Sequence, residues 1–262
     1  MKKNTFSFLL SFSLLLFSSK ASQAQLNNLL KILKQNKDSI SSTTNNTTSA
    51  SSAQPSNAEI SSGLKEALQN SLQASINSLS KKDGFLGNQA VKILLPPEAQ
   101  KAEKALRSIG LGSLPDQLIT SLNRAAESAV SEAAPVFINA LKNLTLSDVS
   151  RILLSGEEDA ATNFFKTQTS EELATKFKPI ISQSLQKFDV SKHWNDVATR
   201  YNQIPLVKDK MEADLDTYVT QKAVNGLFYQ VAQEELKIRN NLGGTRTSPL
   251  LQKVFGYADS KK

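Results

Sequence analysis

The sequence predicts an all-α fold, a single irregular multi-helix bundle around a Pro-kinked central helix, and three features carry that prediction. From Ile60 onward nearly every apolar run recurs at three- and four-residue steps, the spacing of one helical face. Ser or Thr followed three residues later by an acid opens several of these runs, the pattern of a capping box. Only Val91 to Leu95 reads as a strand, and a lone strand has no ladder partner, so it is expected as an extended connector packed on helices.

The elements follow in order. Residues 1–24 read as a signal peptide. Lys2 and Lys3 precede an apolar run from Phe6 to Phe17, and Ser22-Gln23-Ala24 places small side chains where a peptidase cuts. That run is shorter than the roughly 20 residues of a membrane-spanning helix. Residues 25–37 form a basic amphipathic segment, with Leu26, Leu29, Leu30 and Leu33 on one side and Lys31, Lys34 and Lys37 largely elsewhere. Its expected partner is an envelope protein or a membrane surface; a helix lying on the protein's own core fits the same pattern, and both stay open. Residues 38–57 are a Ser/Thr/Asn-rich tether, too polar to offset its ordering entropy by burial.

The helical domain spans 58–256, with a polar tail over 257–262. Ser56 and Glu59 suggest a capping box for a helix carrying Ile60, Leu64, Leu68, Leu72, Ile76 and Leu79. Lys82-Asp83-Gly84 turns the chain into a loop with a second glycine at Gly87. Pro96-Pro97 opens a charged helix over 98–109 that ends at Gly110. The central helix runs from Ser113 to Leu144. Its apolar stripe is Leu114, Leu118, Leu122, Ala125, Ala126, Ala129, Ala133, Phe137 and Leu141; Ser113 is its expected cap, and Pro135 is expected to kink or break it near Glu132. Thr145 and Asp148 start a short helix, and Glu157-Glu158-Asp159 opens the next, which Pro179 is expected to bend. His193 and Trp194 fall in a helix running to Tyr201. The last long helix covers about Asp214 to Arg239, and Leu250 to Gly256 is amphipathic enough to dock back on the body.

Composition excludes much chemistry. Taking Lys2, Lys3 and Lys20 from 31 basic residues leaves 28 against 24 acidic, a net charge of only +4 on the mature chain. No Lys/Arg stripe is interleaved with aromatics, so nucleic acid is not an expected partner. With no Cys and one His, neither a disulfide, a lipid-modified cysteine nor a typical zinc site can be built. No Gly-rich phosphate loop, nucleophile elbow or His-based metal motif is present, and no cofactor, metal or catalytic residue is assigned. Oligomeric state leaves no mark on the sequence.

Two polar sets stand out as candidate binding residues. Asp214, Tyr218 and Lys222 share one side of the last long helix at four-residue steps. Arg124 and Glu127 form a pair on the side of the central helix opposite its apolar stripe, with Asn123 at the border. Small residues around that pair imply that another segment covers it, so that Arg124 is partly buried and its donors need Glu127, backbone carbonyls or another carboxylate.

Several phrases resemble a bacterial family known as domain of unknown function 4197. They are Asp83-Gly84-Phe85-Leu86-Gly87-Asn88, Asn123-Arg124-Ala125-Ala126-Glu127 and Asp159-Ala160-Ala161-Thr162. Asp214-Leu215-Asp216 with Tyr218-Val219-Thr220 and Lys222-Ala223, then Gly226-Leu227-Phe228 and Lys253-Val254-Phe255-Gly256, complete the set. The resemblance covers about Gly63 to Gly256 and implies an exported, mostly helical protein with no assigned activity. Some members look like lipoproteins, from which this cysteine-free chain departs. The expected protein is thus a periplasmic or extracellular binding or interaction module of the cell envelope, not a lipoprotein. The alternatives are a structural envelope protein without a small ligand, or a hydrolase-type enzyme using carboxylates.

Overall fold

Ser56 begins the first helix in the way its sequence context suggests. Its side chain accepts the Glu59 N–H, and the Glu59 carboxylate accepts the Ser56 N–H at 2.8 Å, a reciprocal capping box. The computed structural model describes residues 54–261 other than 109, 111, 188–189, 191–193 and 195–213. The signal peptide, the basic segment, the tether up to residue 53, His193 and the run to Tyr201 lie outside the described residues. Eight α-helices are described, and no strand is found among the described residues. They are α1 (Asn57–Leu79), α2 (Gln100–Ser108), α3 (Ser113–Val130), α4 (Ala133–Lys142), α5 (Leu146–Leu154), α6 (Ala160–Gln186), α7 (Leu215–Arg239) and α8 (Pro249–Asp259). The fold is all-α.

Helices α1, α3, α6 and α7 make the body: α6 packs on α3 and α7, and α7 also packs on α1 and α3. Lys178 near the end of α6 meets Thr217 at the start of α7, while Glu235 near the end of α7 meets Thr162 at the start of α6, so the two run antiparallel. Ala125, Ala126 and Ala129 on α3 are fully buried, and their small side chains let the neighbouring helices approach closely. Phe137 of α4 meets Phe165 of α6 and Phe228 of α7 edge-on at 6.2 and 5.9 Å, joining three elements through ring contacts. The amphipathic C-terminal run is α8. It docks on α1 and α5 through Leu251, Val254 and Phe255, and Gly63 of α1 lies so close to Val254 that a Cβ there would meet it at 2.7 Å.

The central helix breaks where Pro135 leads one to expect: α3 stops at Val130, and α4 starts at Ala133, where the missing proline N–H has no helical partner to lose. Its start is capped differently from expectation. Gly112 holds the N-cap position and Ser113 lies inside the helix with no cap bond, because Asp116 instead takes the Arg107 guanidinium of α2 at 2.6 Å. Leu114 consequently faces solvent instead of joining the stripe. Thr145 with Asp148, by contrast, is a full capping box for α5.

Val91 to Leu95 keeps the alternation of a strand without being one. Val91, Ile93 and Leu95 are buried while Leu94 is 50% exposed, and the segment lies extended against the helices. Pro97–Ala99 then makes a short 3-10 turn into α2.

Candidate functional site

Asn123, Arg124 and Glu127 converge on the loop between α1 and α2. The Asn123 amide donates to the Ile93 carbonyl and accepts the Ile93 N–H, both at 2.8 Å, so one side chain stands where a neighbouring strand would. Glu127 is almost fully buried, and its Oε1 accepts the N–H groups of Phe85 and Leu86 at 3.1 and 3.2 Å. Arg124 donates to the other Glu127 oxygen at 2.6 Å and to Asp83 at 2.7 Å. The two carboxylates, Glu127 first, hold its guanidinium above its ordinary pKa. The loop is shaped to receive this clasp. Asp83 sits at φ 66, and a Cβ on Gly84 would come within 2.4 Å of the Leu79 carbonyl. From the opposite side Gly226 of α7 lets Phe85 in, since a Cβ there would meet its ring at 2.7 Å. The structure therefore gathers this set as a loop anchor whose hydrogen bonds run to the loop and to one another.

The second set divides. Asp214 caps α7, accepting the Thr217 N–H and hydroxyl. Those bonds, aided by Lys178 at 3.4 Å, hold its carboxyl below the usual range and make it a weak base. Tyr218 donates its hydroxyl to the Leu94 carbonyl at 3.1 Å, and the Lys222 ammonium lies 5.6 Å above the Tyr218 ring. Tyr218 thus joins the loop anchor, and Asp214 belongs to the α6–α7 seam.

That seam holds a groove of about 440 Å³. Lys166, Ser170, Ala174, Thr175 and Lys178 line it from α6, and Thr217, Thr220, Gln221, Val224 and Asn225 from α7. Neither the Asp214–Tyr218–Lys222 row nor the Arg124–Glu127 pair is in its lining. Apart from Thr220, singled out only within a family phrase, these residues carry no mark in the sequence. They fall on polar helix faces, and only the antiparallel pairing of α6 with α7 makes them neighbours. The helical period around Lys166, Ser170 and Lys178 is the one signal present, since positions four and eight apart share a face. Among the described residues no group of three or more acids or histidines could hold a metal ion.

A second buried carboxylate also left no signal in the sequence. Glu235 of α7 accepts the N–H groups of Ala161 and Thr162 at 3.0 and 2.8 Å and pairs with Arg239 at 2.8 Å. It caps α6 from another helix, where Asp159 makes no side-chain cap bond.

The model of a family described as a protein of unknown function, DUF4197, matches residues 54–256. The chain belongs to that family. Every phrase that suggested the likeness lies within the matched stretch of the DUF4197 domain. Within those phrases, glycines 84 and 226 admit the loop, Asn123 and Glu127 hold it, and Thr162 donates its hydroxyl to Glu235. Comparison with curated proteins and with solved structures finds no match.

Proposed function

We propose that this DUF4197 domain is an exported binding module of the cell envelope whose ligand lies in the α6–α7 groove. The groove itself carries the reading. At about 440 Å³ it has the size of a small-molecule site, and it sets polar side chains around a floor of Ala174 and Val224. The candidate residues named from sequence support that reading indirectly, because Asn123, Arg124, Glu127 and Tyr218 are occupied in holding the fold. A carboxylate enzyme is disfavoured, because Asp214, beside the groove, is engaged by the lining residues Thr217 and Lys178.

Export rests on the order of charge, apolar run and small residues in the first 24 positions, and the absence of cysteine argues against a lipid anchor. Among the described residues no helix is long and apolar enough to cross a membrane. Mass spectrometry of protein from the producing cell tests export: a mature chain beginning at Gln25 is expected, and a full-length chain in the cytosol overturns it. Small molecules extracted from that same protein test the groove. Ala174→Trp fills the floor and is expected to remove a compound that the parent chain retains; identical extracts from both overturn the reading.

A further inference from the structure

We propose that the groove takes an elongated polar ligand with an oxyanion, carboxylate or phosphate, at each end, one on Lys166 and the other on Lys178. This rests on the groove being the ligand site. Lys166 and Lys178 lie twelve residues apart on α6, about 18 Å along the axis at 1.5 Å per residue. Lys166 is exposed, and its ammonium has no hydrogen-bond or ion-pair partner among the described residues. Lys178 gives one proton to Thr217 at 2.8 Å and one to Asp214 at 3.4 Å, which leaves the third of an ammonium's three donors for a ligand.

The wall between the two ammoniums is specific in what it offers. Gln221 and Asn225 are one turn apart on α7, and neither side-chain amide has a partner among the described residues. The hydroxyls of Ser170, Thr175 and Thr220 each donate to the backbone carbonyl four residues back, so they meet the groove only as acceptors. The free donors are therefore cationic at the ends and amide in the middle. Among the described residues no aromatic side chain lines the groove to stack on a sugar or a base. The ends are not equal. Asp214 partly neutralises Lys178, whereas no ion-pair partner among the described residues offsets Lys166, so Lys166 is the stronger anchor.

Linear dicarboxylates of rising length test this with the protein purified from the producing cell. Succinate, suberate and sebacate are titrated at low ionic strength, and a straight-chain alkanediol bisphosphate forms the phosphate arm. Binding is read from the side-chain amide resonances of Gln221 and Asn225. Affinity is expected to rise with length, and the tighter of the two long probes names the oxyanion. Lys166→Met, at a position with no partner to lose, is expected to weaken the longest probe about fivefold, the factor that about 1 kcal/mol represents. It should also abolish the dependence on length. Groove resonances that shift equally for short and long probes, or that ignore Lys166→Met, overturn the two-ended proposal while leaving the groove a ligand site. No shift with any probe overturns the proposal as well. The groove reading itself falls only if the Ala174→Trp extract also matches the parent.

Discussion

Glu127 and Glu235 perform the same task in two surroundings. Each accepts a pair of consecutive backbone N–H groups from a distant segment, and each pairs with an arginine about one turn away on its own helix. Their settings differ. Glu235 and Arg239 are both 6% exposed, and Arg239 also donates to the Ile152 carbonyl of α5, so the cluster ties three helices inside the core. Arg124 is 29% exposed, and its second carboxylate, Asp83, is 52% exposed. Water and salt therefore reach one clasp and not the other. The lesson is that partners alone do not set the strength of an ion pair; what happens to the charge left behind when one partner goes is decided by solvent access.

The largest effect follows from the dry clasp. Glu235→Ala strands the Arg239 guanidinium and two N–H groups at the start of α6, and a loss of about 3–5 kcal/mol is expected in chemical denaturation. Replacing both partners by methionine should recover part of that loss, because no buried charge remains. A loss under about 1 kcal/mol for Glu235→Ala would erase the contrast between the clasps.

At the wetter clasp, Glu127→Ala leaves the Phe85 and Leu86 N–H groups without their acceptor, and about 2–3 kcal/mol is expected. Arg124→Ala should cost less, about 1–2 kcal/mol, and Asp83→Ala under about 1 kcal/mol. A double-mutant cycle on Arg124 and Glu127 is expected to show coupling that shrinks in high salt, while the Glu235–Arg239 coupling holds. Equal salt sensitivity in the two cycles would mean that exposure does not distinguish them.

Glu59 extends the series to the surface and gives the smallest effect. It accepts the Ser56 N–H and the Lys253 ammonium, the latter at 2.7 Å, so it joins the start of α1 to α8. Lys253, then Ser56, lowers its pKa from 4.5 to about 2. A depressed carboxyl stabilises the fold fully above its unfolded pKa and loses that contribution as pH falls through the folded one, here between about 4.5 and 2. Lys253→Met is expected to flatten the stability–pH curve in that window and leave it unchanged near neutrality apart from a constant offset. An unaltered slope would remove Glu59 from the series.

Helix existence was legible in the sequence because it rests on local spacing. Ile60 to Leu79, the caps at Ser56 and Thr145, the break before Pro135 and the docking of α8 all follow from neighbours within a few positions. The pairing of Arg124 with Glu127 was legible for the same reason. What they hold was not, since Phe85 and Leu86 lie about forty residues away. Glu235 and Arg239 look in sequence like any solvated pair at four-residue spacing, and their burial depends on where α5 and α6 end up. Ser113 misled because Asp116, which would complete a cap with it, found a stronger partner in Arg107. The groove was hidden for a related reason: its two walls are separate helices whose polar faces acquire meaning only once they are side by side.

Asn123 has a consequence for solubility. Val91-Lys92-Ile93-Leu94-Leu95 is short, rich in β-formers and carries one charge, the composition that recruits identical segments from other chains. Such recruitment needs unpaired N–H and C=O groups along an edge. Asn123 takes both groups of Ile93, and Tyr218 takes the Leu94 carbonyl, so the segment offers no template at its centre. Two side chains thus protect the chain against self-association at its one β-prone stretch.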